Sequence, residues 1–282
     1  MLNPIKWLEL ELKRNVTRAI LDTEKNLQNK KKREQKRLRE GRNHVIYYFH
    51  QVDDPYSHLC AQTLPLIANT YDVEIKTFLV PSPTKEAAPE PDLLKSHSLE
   101  DAKIIAPHYG FTFPSVNELP NDKIIQMAQW AFICSENQSF EDIIKIGDLL
   151  WNNDQSSIED LFSKSPNEEI VNDTLSKNSK LRKNFGHYLG GVFVYEGECY
   201  LGIDRLSLLE KRLADLGAKK DEKAKVIQRR PSDVQAIINL GLEVDILWSA
   251  RSPYSYLAMK QLRELSDKYH LKLNYKLILP MV

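Results

Sequence analysis

The stretch DDPYSHLC, Asp53–Cys60, returns near the end of the chain as RSPYSYLA, Arg251–Ala258. A constant shift of 198 positions lays Asp54 on Ser252, Pro55 on Pro253, Tyr56 on Tyr254 and Ser57 on Ser255. Without a gap it also lays Leu59 on Leu257, Leu64 on Leu262 and Tyr71 on Tyr269. A period this long belongs to a repeated domain and not to a solenoid, whose units run to about 20–50 residues. The surroundings repeat as well. HVIYYFH (44–50) and EVDILWS (243–249) are short β-branched and aromatic runs, and VEIKTFLV (73–80) and LKLNYKLIL (271–279) are second ones. Between each pair lies an apolar-periodic helix opened by proline, the first predicted over about 55–71. Strand, helix and strand in that order require a parallel, right-handed crossover.

Between the copies, residues from Pro89 to about Phe185 read as helix throughout. GVFVYEG and ECYLG then form two short strands turning at Glu196-Gly197, a hairpin signal. Asp204 is expected to cap a last helix, RLSLLEKRLADLG, closed by Gly217. The pattern predicts a charged N-terminal helix over 1–42 and an α/β domain over 43–217. A linker with some helix follows over 218–242, then a partial second copy over 243–282. That copy carries only a βαβ unit, which leaves a sheet edge and one face uncovered, so it is expected to be the start of a longer domain.

Formal net charge is zero over 282 residues, so global electrostatics point neither to nucleic acid nor to an acidic substrate. The basic run KKKREQKRLRE carries interleaved acids and reads as a solvated helix, with nucleic-acid or membrane contact through Lys30 to Arg39 as the weaker alternative. Charges interrupt the apolar residues of the N-terminus, and no uncharged apolar run approaches the roughly 20 residues of a membrane span. A cytoplasmic protein is expected. Cys60, Cys134 and Cys199 are odd in number and contain no Cys-x-x-Cys, which excludes a disulfide framework and an ordinary dithiol redox centre. His50 and His58 flank the first turn without the spacing of a metal set, and there is no phosphate-binding glycine loop. Trp130, Phe132 and Trp151 sit at helical spacing and read as core.

With FHQVDDPYSHL and LWSARSPYSYLA at the two helix starts, DAKIIAPHYGFTFP in the helical block and YLGIDRLSLLE before the last helix, the chain resembles the DsbA-like thioredoxin superfamily. Within it, the chain is similar to 2-hydroxychromene-2-carboxylate isomerases and kappa-class glutathione transferases, over 43–217 and again over 243–282. That resemblance implies a thioredoxin-like fold, βαβ–helical insertion–ββα, and glutathione as cofactor. It places Ser252 as the hydroxyl that donates to the thiolate, with Asp54 as its degenerate equivalent, unable to donate while ionised. Asp204 and Arg205 would hold the γ-glutamyl end. Gly190 and Gly191 would form the loop where these families carry a cis-proline, here expected to run trans. Each signal has a plainer reading. Ser or Asp before proline is an ordinary helix N-cap, and Asp204-Arg205 an ordinary cap with a charge pair. The implied function is a glutathione-dependent isomerase or transferase acting on a small molecule, without metal, membrane or nucleic-acid partner. The two copies would form a pseudo-dimer within the chain, or the chain a homodimer. The alternative is a non-catalytic binding or scaffold protein on the same fold.

Overall fold

The computed structural model describes residue 11 and residues 23–282 except 89, 116–117, 136–138, 163–165, 222, 228–233, 251 and 279–282. Most of the first 22 residues of the expected N-terminal helix therefore lie outside the described residues. The chain divides into two compact units, Met1–Arg229 and Arg230–Val282.

In the first unit, helix α1 (Thr23–Arg39) precedes β1 (Val45–His50), α2 (Pro55–Ala61), α3 (Leu64–Thr70) and β2 (Glu74–Leu79). The helical block follows: α4 (Pro91–Ile105) with a 3-10 turn over Ala106–Tyr109, α5 (Asp122–Cys134), α6 (Phe140–Trp151), α7 (Gln155–Glu159) and α8 (Glu168–Asn184). Strands β3 (Val192–Tyr195) and β4 (Glu198–Leu201) and helix α9 (Gly202–Asp215) complete it. The sheet order is β2-β1-β3-β4. β1 and β2 are parallel from Val45↔Glu74 to His50↔Leu79, while β3 runs antiparallel to both β1 and β4. Glu196 and Gly197, with φ of 44° and 73°, supply the two left-handed residues that a tight hairpin turn needs.

The central strands β1 and β3 are buried on both faces, which is why HVIYYFH lacks polar alternation. Ile46, Tyr48, Phe193 and Tyr195 face the main core, built with α2, α3, α5, α6 and the Ile203, Leu206, Leu209 and Leu213 stripe of α9. Phe49, Val80, Val192 and Val194 face the other way, under Leu181 of α8 and Phe185 just after it. Trp151 and Phe132 are buried as expected.

Three expectations are corrected. The single helix over 55–71 breaks at Gln62-Thr63, because Pro65 has no N–H and its ring crowds the carbonyl four residues back. Residues 218–227 are no linker. Asp72 N–H donates to Ala218 O, Lys220 N–H to Thr70 O, and the Glu210 carboxylate accepts from the amides of Val226 and Ile227 at 2.7 and 3.2 Å. The basic run of α1 is docked and not merely solvated. Lys30 pairs with Glu198, Arg33 Nη1 donates to Glu196 O, and buried Arg37 is forked on Glu34 while donating to Arg42 O.

The second unit holds α10 (Val234–Asn239), β5 (Glu243–Trp248), α11 (Pro253–Tyr269) and β6 (Lys272–Leu277). β5 and β6 pair in parallel from Glu243↔Lys272 to Trp248↔Leu277, the β1–β2 register displaced by 198. Arg263 stands where the first unit has Pro65, and α11 accordingly runs unbroken for 17 residues. The small hydrogen bonds recur too: Ser57 Oγ accepts from Gln51 N and Ser255 Oγ from Ser249 N, at 3.3 and 3.2 Å. Burial does not recur, since Leu247 is 65% exposed where Phe49 is fully buried.

Candidate active site

The turn between β1 and α2 brings Asp53 and Asp54 to one wall of a cavity of about 470 Å³. Helix α4 forms another wall with the face Leu94, Ser98, Asp101 and Ile105, residues spaced three and four apart. Ser82 and Pro83, after β2, close a third side, and Gly190, Gly202 and Asp204 close the fourth.

Asp54 is the N-cap of α2, and its carboxylate consumes the donors of that helix start. Oδ2 accepts from Ser57 N at 3.0 Å and Ser57 Oγ at 2.6 Å, and Oδ1 accepts from Tyr56 N at 3.3 Å. Burial pushes its pKa up to about 6, helped by the neighbouring Asp53 and opposed by the Ser57 hydrogen bonds. The result is a carboxyl group that changes protonation just below neutrality. Asp53 is buried and locked: Gln51 Nε2 and Ser82 Oγ donate to it, and Lys95 Nζ lies 3.1 Å from its Oδ2. Tyr56 donates its hydroxyl to Asp101 Oδ2 at 2.7 Å, and burial followed by that carboxylate raises its pKa, keeping the phenol protonated.

Beneath this layer, Tyr48 OH donates to Ser57 O at 2.6 Å and lies 3.0 Å from His50 Nδ1. Burial drives the His50 pKa down to about 3, so the imidazole is neutral, stacked on Phe132. His58 is buried against Gly147, its Nε2 3.1 Å from Asp148 Oδ1 without the alignment of a hydrogen bond.

Opposite Asp54 stands the loop Leu189-Gly190-Gly191, with no cis peptide bond, as expected. A Cβ on Gly190 would lie 2.5 Å from Gln51 Cβ, 2.6 Å from Ser57 Oγ and 3.2 Å from Asp54 Oδ2, so only glycine lets the loop approach this closely. Gly191 takes φ of 62°, and its carbonyl accepts from Gly202 N at 2.9 Å and faces Cys60 Sγ at 3.7 Å. Cys60 is fully buried, and burial raises its thiol pKa well above the ordinary value, with Asp54 and Asp204 adding to the effect.

The structure thus gathers Asp54, Gly190 and Asp204 at one cavity. Asp204 lies in the first turn of α9 and is not its cap; the cap position is Leu201, which has no side-chain hydrogen bond to offer. Arg205 does not line the cavity; its exposed Nε is 3.9 Å from Asp204 Oδ2. Ser252 belongs to the second unit, where it caps α11 by accepting from Ser255 N at 3.4 Å. Sequence reading passed over Asp53, Ser82, Lys95 and the Tyr56–Asp101 pair. The three-four spacing of the α4 face was the one available signal. No group of three potential metal ligands gathers among the described residues, and no described helix is long and apolar enough to cross a membrane.

No family model and no curated protein matches the chain. Among solved structures it is similar to a 2-hydroxychromene-2-carboxylate isomerase at 16% identity, over 61% of this chain and 96% of that one, with a TM-score of 0.43. It is also similar to the cytosolic disulfide reductase DsbM from Pseudomonas aeruginosa at 12% identity, over 60% and 98%, with a TM-score of 0.40. By its own strand order, with a helical block set between a βαβ half and a ββα half, the first unit is a thioredoxin-like fold on the DsbA-like plan.

Proposed function

We propose that the first unit binds a glutathione-type thiol peptide in this cavity and uses Asp54 as the proton acceptor for isomerase or transferase chemistry on an apolar small molecule. The observation that carries the reading is Asp54 itself: an acid facing the cavity, clamped at Oδ2 by Ser57, with a pKa near 6. Glutathione, when bound, would supply the thiol nucleophile.

The residues present suit such a ligand in part. Asp204 offers a carboxylate to an ammonium group, and Lys95 is the cation that lines the cavity among the described residues. Oδ1 of Asp54, held only by the long bond from Tyr56 N, is the oxygen able to take a proton. Transfer onto Oδ1 leaves the site with one negative charge before and after, so the repulsion expected between a fixed carboxylate and a thiolate does not arise. The protonated carboxyl can then donate. Leu94, Ile105, Ala88 and Pro83 form the apolar wall against which an electrophile would lie. Asp54 takes the part here that a serine hydroxyl takes in the resemblance, and Ser252 has the same place in the second unit. This reading sets the protein in the cytoplasm, where the unbridged thiols Cys60 and Cys199 would stay reduced.

The test is calorimetric titration with glutathione and S-methylglutathione. Wild type is expected to bind both. Asp204→Ala should lose about tenfold or more for each, about 1.4 kcal/mol, and Asp54→Asn should retain S-methylglutathione within a few-fold while losing any preference for the free thiol. Absence of glutathione binding by the wild type refutes the reading and leaves the non-catalytic alternative.

A further inference from the structure

Helix α8 sends two side chains, one turn apart, to the segment leaving β2. Asn178 Nδ2 donates to Leu79 O at 2.8 Å, and Arg182 Nη2 donates to Pro81 O at 3.4 Å. Arg182 is 2% exposed, yet its Nε and Nη1 find no acceptor among the described residues. Three of the five N–H groups of the guanidinium are thus unfilled. Burial alone lowers its pKa to about 10, with no carboxylate contributing, and at neutral pH the side chain is still a cation.

A buried charge without a partner is strongly unfavourable, and proteins pair such groups or neutralise them. A single long bond to a neutral carbonyl offsets little of that. Among the described residues, no negative charge offsets it. His187, two residues before Leu189, has its pKa lowered by burial and further by the Arg182 charge, and Lys183 follows directly in sequence. The carbonyls that end α8 are a poor substitute, because helical side chains lean toward the N-terminus and this one reaches Pro81.

We propose that Arg182 anchors a second ligand site, distinct from Asp54, that takes a small oxyanion of the carboxylate or phosphate class. The guanidinium offers such a group several parallel N–H donors and full charge compensation in a desolvated setting. The segments beside it, Pro81 and His187, run directly into Ser82-Pro83 and Leu189-Gly190 of the cavity wall. An oxyanion held here would fasten those two wall segments to α8.

The experiment compares thermal unfolding in chloride with unfolding in inorganic phosphate or acetate at the same ionic strength. Phosphate or acetate is expected to raise the wild-type Tm by a few degrees through preferential binding to the folded state. Arg182→Met should lose that increment and be at least as stable as wild type in chloride, since it removes the unpaired charge. An equal increment in Arg182→Met, or none in the wild type, overturns the proposal. Should the methionine variant fail to fold, the wild type decides alone. Its Arg182 Nε–H resonance, assigned by its loss in Arg182→Lys, must move during a phosphate titration, and a stationary resonance refutes the site. Neither readout involves glutathione, so the proposal stands or falls apart from the Asp54 reading.

Discussion

Replacing Asp54 by asparagine isolates the energetic consequence of burying that carboxyl. Its pKa rises from an ordinary 3.8 to about 6 in the folded protein, chiefly through desolvation. Below pH 3.8 the group is protonated in both states and costs nothing. Between about 4 and 6 the folded state holds a proton that the unfolded chain has released, so stability falls as pH rises, and above 6 the whole penalty applies. The gap corresponds to about 3 kcal/mol at 25 °C. Asp54→Asn keeps the shape and an acceptor oxygen for Ser57 but cannot ionise. Other carboxylates titrate in the same range, so the informative quantity is the difference between wild type and variant in urea unfolding across the window. Wild type should lose about 2 kcal/mol relative to Asp54→Asn between pH 4 and pH 6.5, the rest of the gap lying outside that window. A difference that is flat with pH, or that moves in favour of wild type as pH rises, would refute the argument from burial.

Gly190→Ala should destabilise the first unit by about 1–3 kcal/mol, because the added methyl meets Gln51 Cβ at 2.5 Å; a melt unchanged from wild type would show that the loop can back away. The chain should neither reduce nor oxidise disulfides, since Cys60 is buried with its thiol pKa raised; insulin reduction that vanishes in Cys60→Ala would contradict this. Amide exchange should be much slower in β1 than in β5, given that Phe49 is fully buried and its counterpart Leu247 is mostly exposed; equal protection would argue against it.

Local signals carried most of the fold. The strand HVIYYFH, the turn Glu196-Gly197 and the stop at Gly217 each state their conformation within a few residues, and each stands where the pattern put it. The failures are failures of locality. Pro65 sits inside an apolar-periodic stretch, and periodicity outvoted a backbone rule that should have split the helix. Residues 218–227 look like a charged connector because their anchors, Thr70, Asp72 and Glu210, are distant in sequence. The candidate site shows the same division. Asp54 and Gly190 were legible because tight turns demand special residues. Asp53, Ser82, Lys95 and Asp101 are common polar types whose meaning depends on four elements meeting at one cavity.

Asp54 and Ser252 both cap a helix that follows a strand, in two turns alike in sequence, and they differ in chemistry. In the first unit the carboxylate takes up the amides of Tyr56 and Ser57 and the hydroxyl of Ser57, so that turn supplies its own anion. An incoming anion finds those donors taken, and the useful property left is the mobile proton of a group with a pKa near 6. In the second unit the corresponding bond from Ser255 N to Ser252 Oγ is 3.4 Å, at the long end of hydrogen bonding. A hydroxyl there can both accept and donate, and it carries no charge. The first turn therefore carries a titrating carboxyl and the second a neutral hydroxyl, two different groups capping helices that start alike.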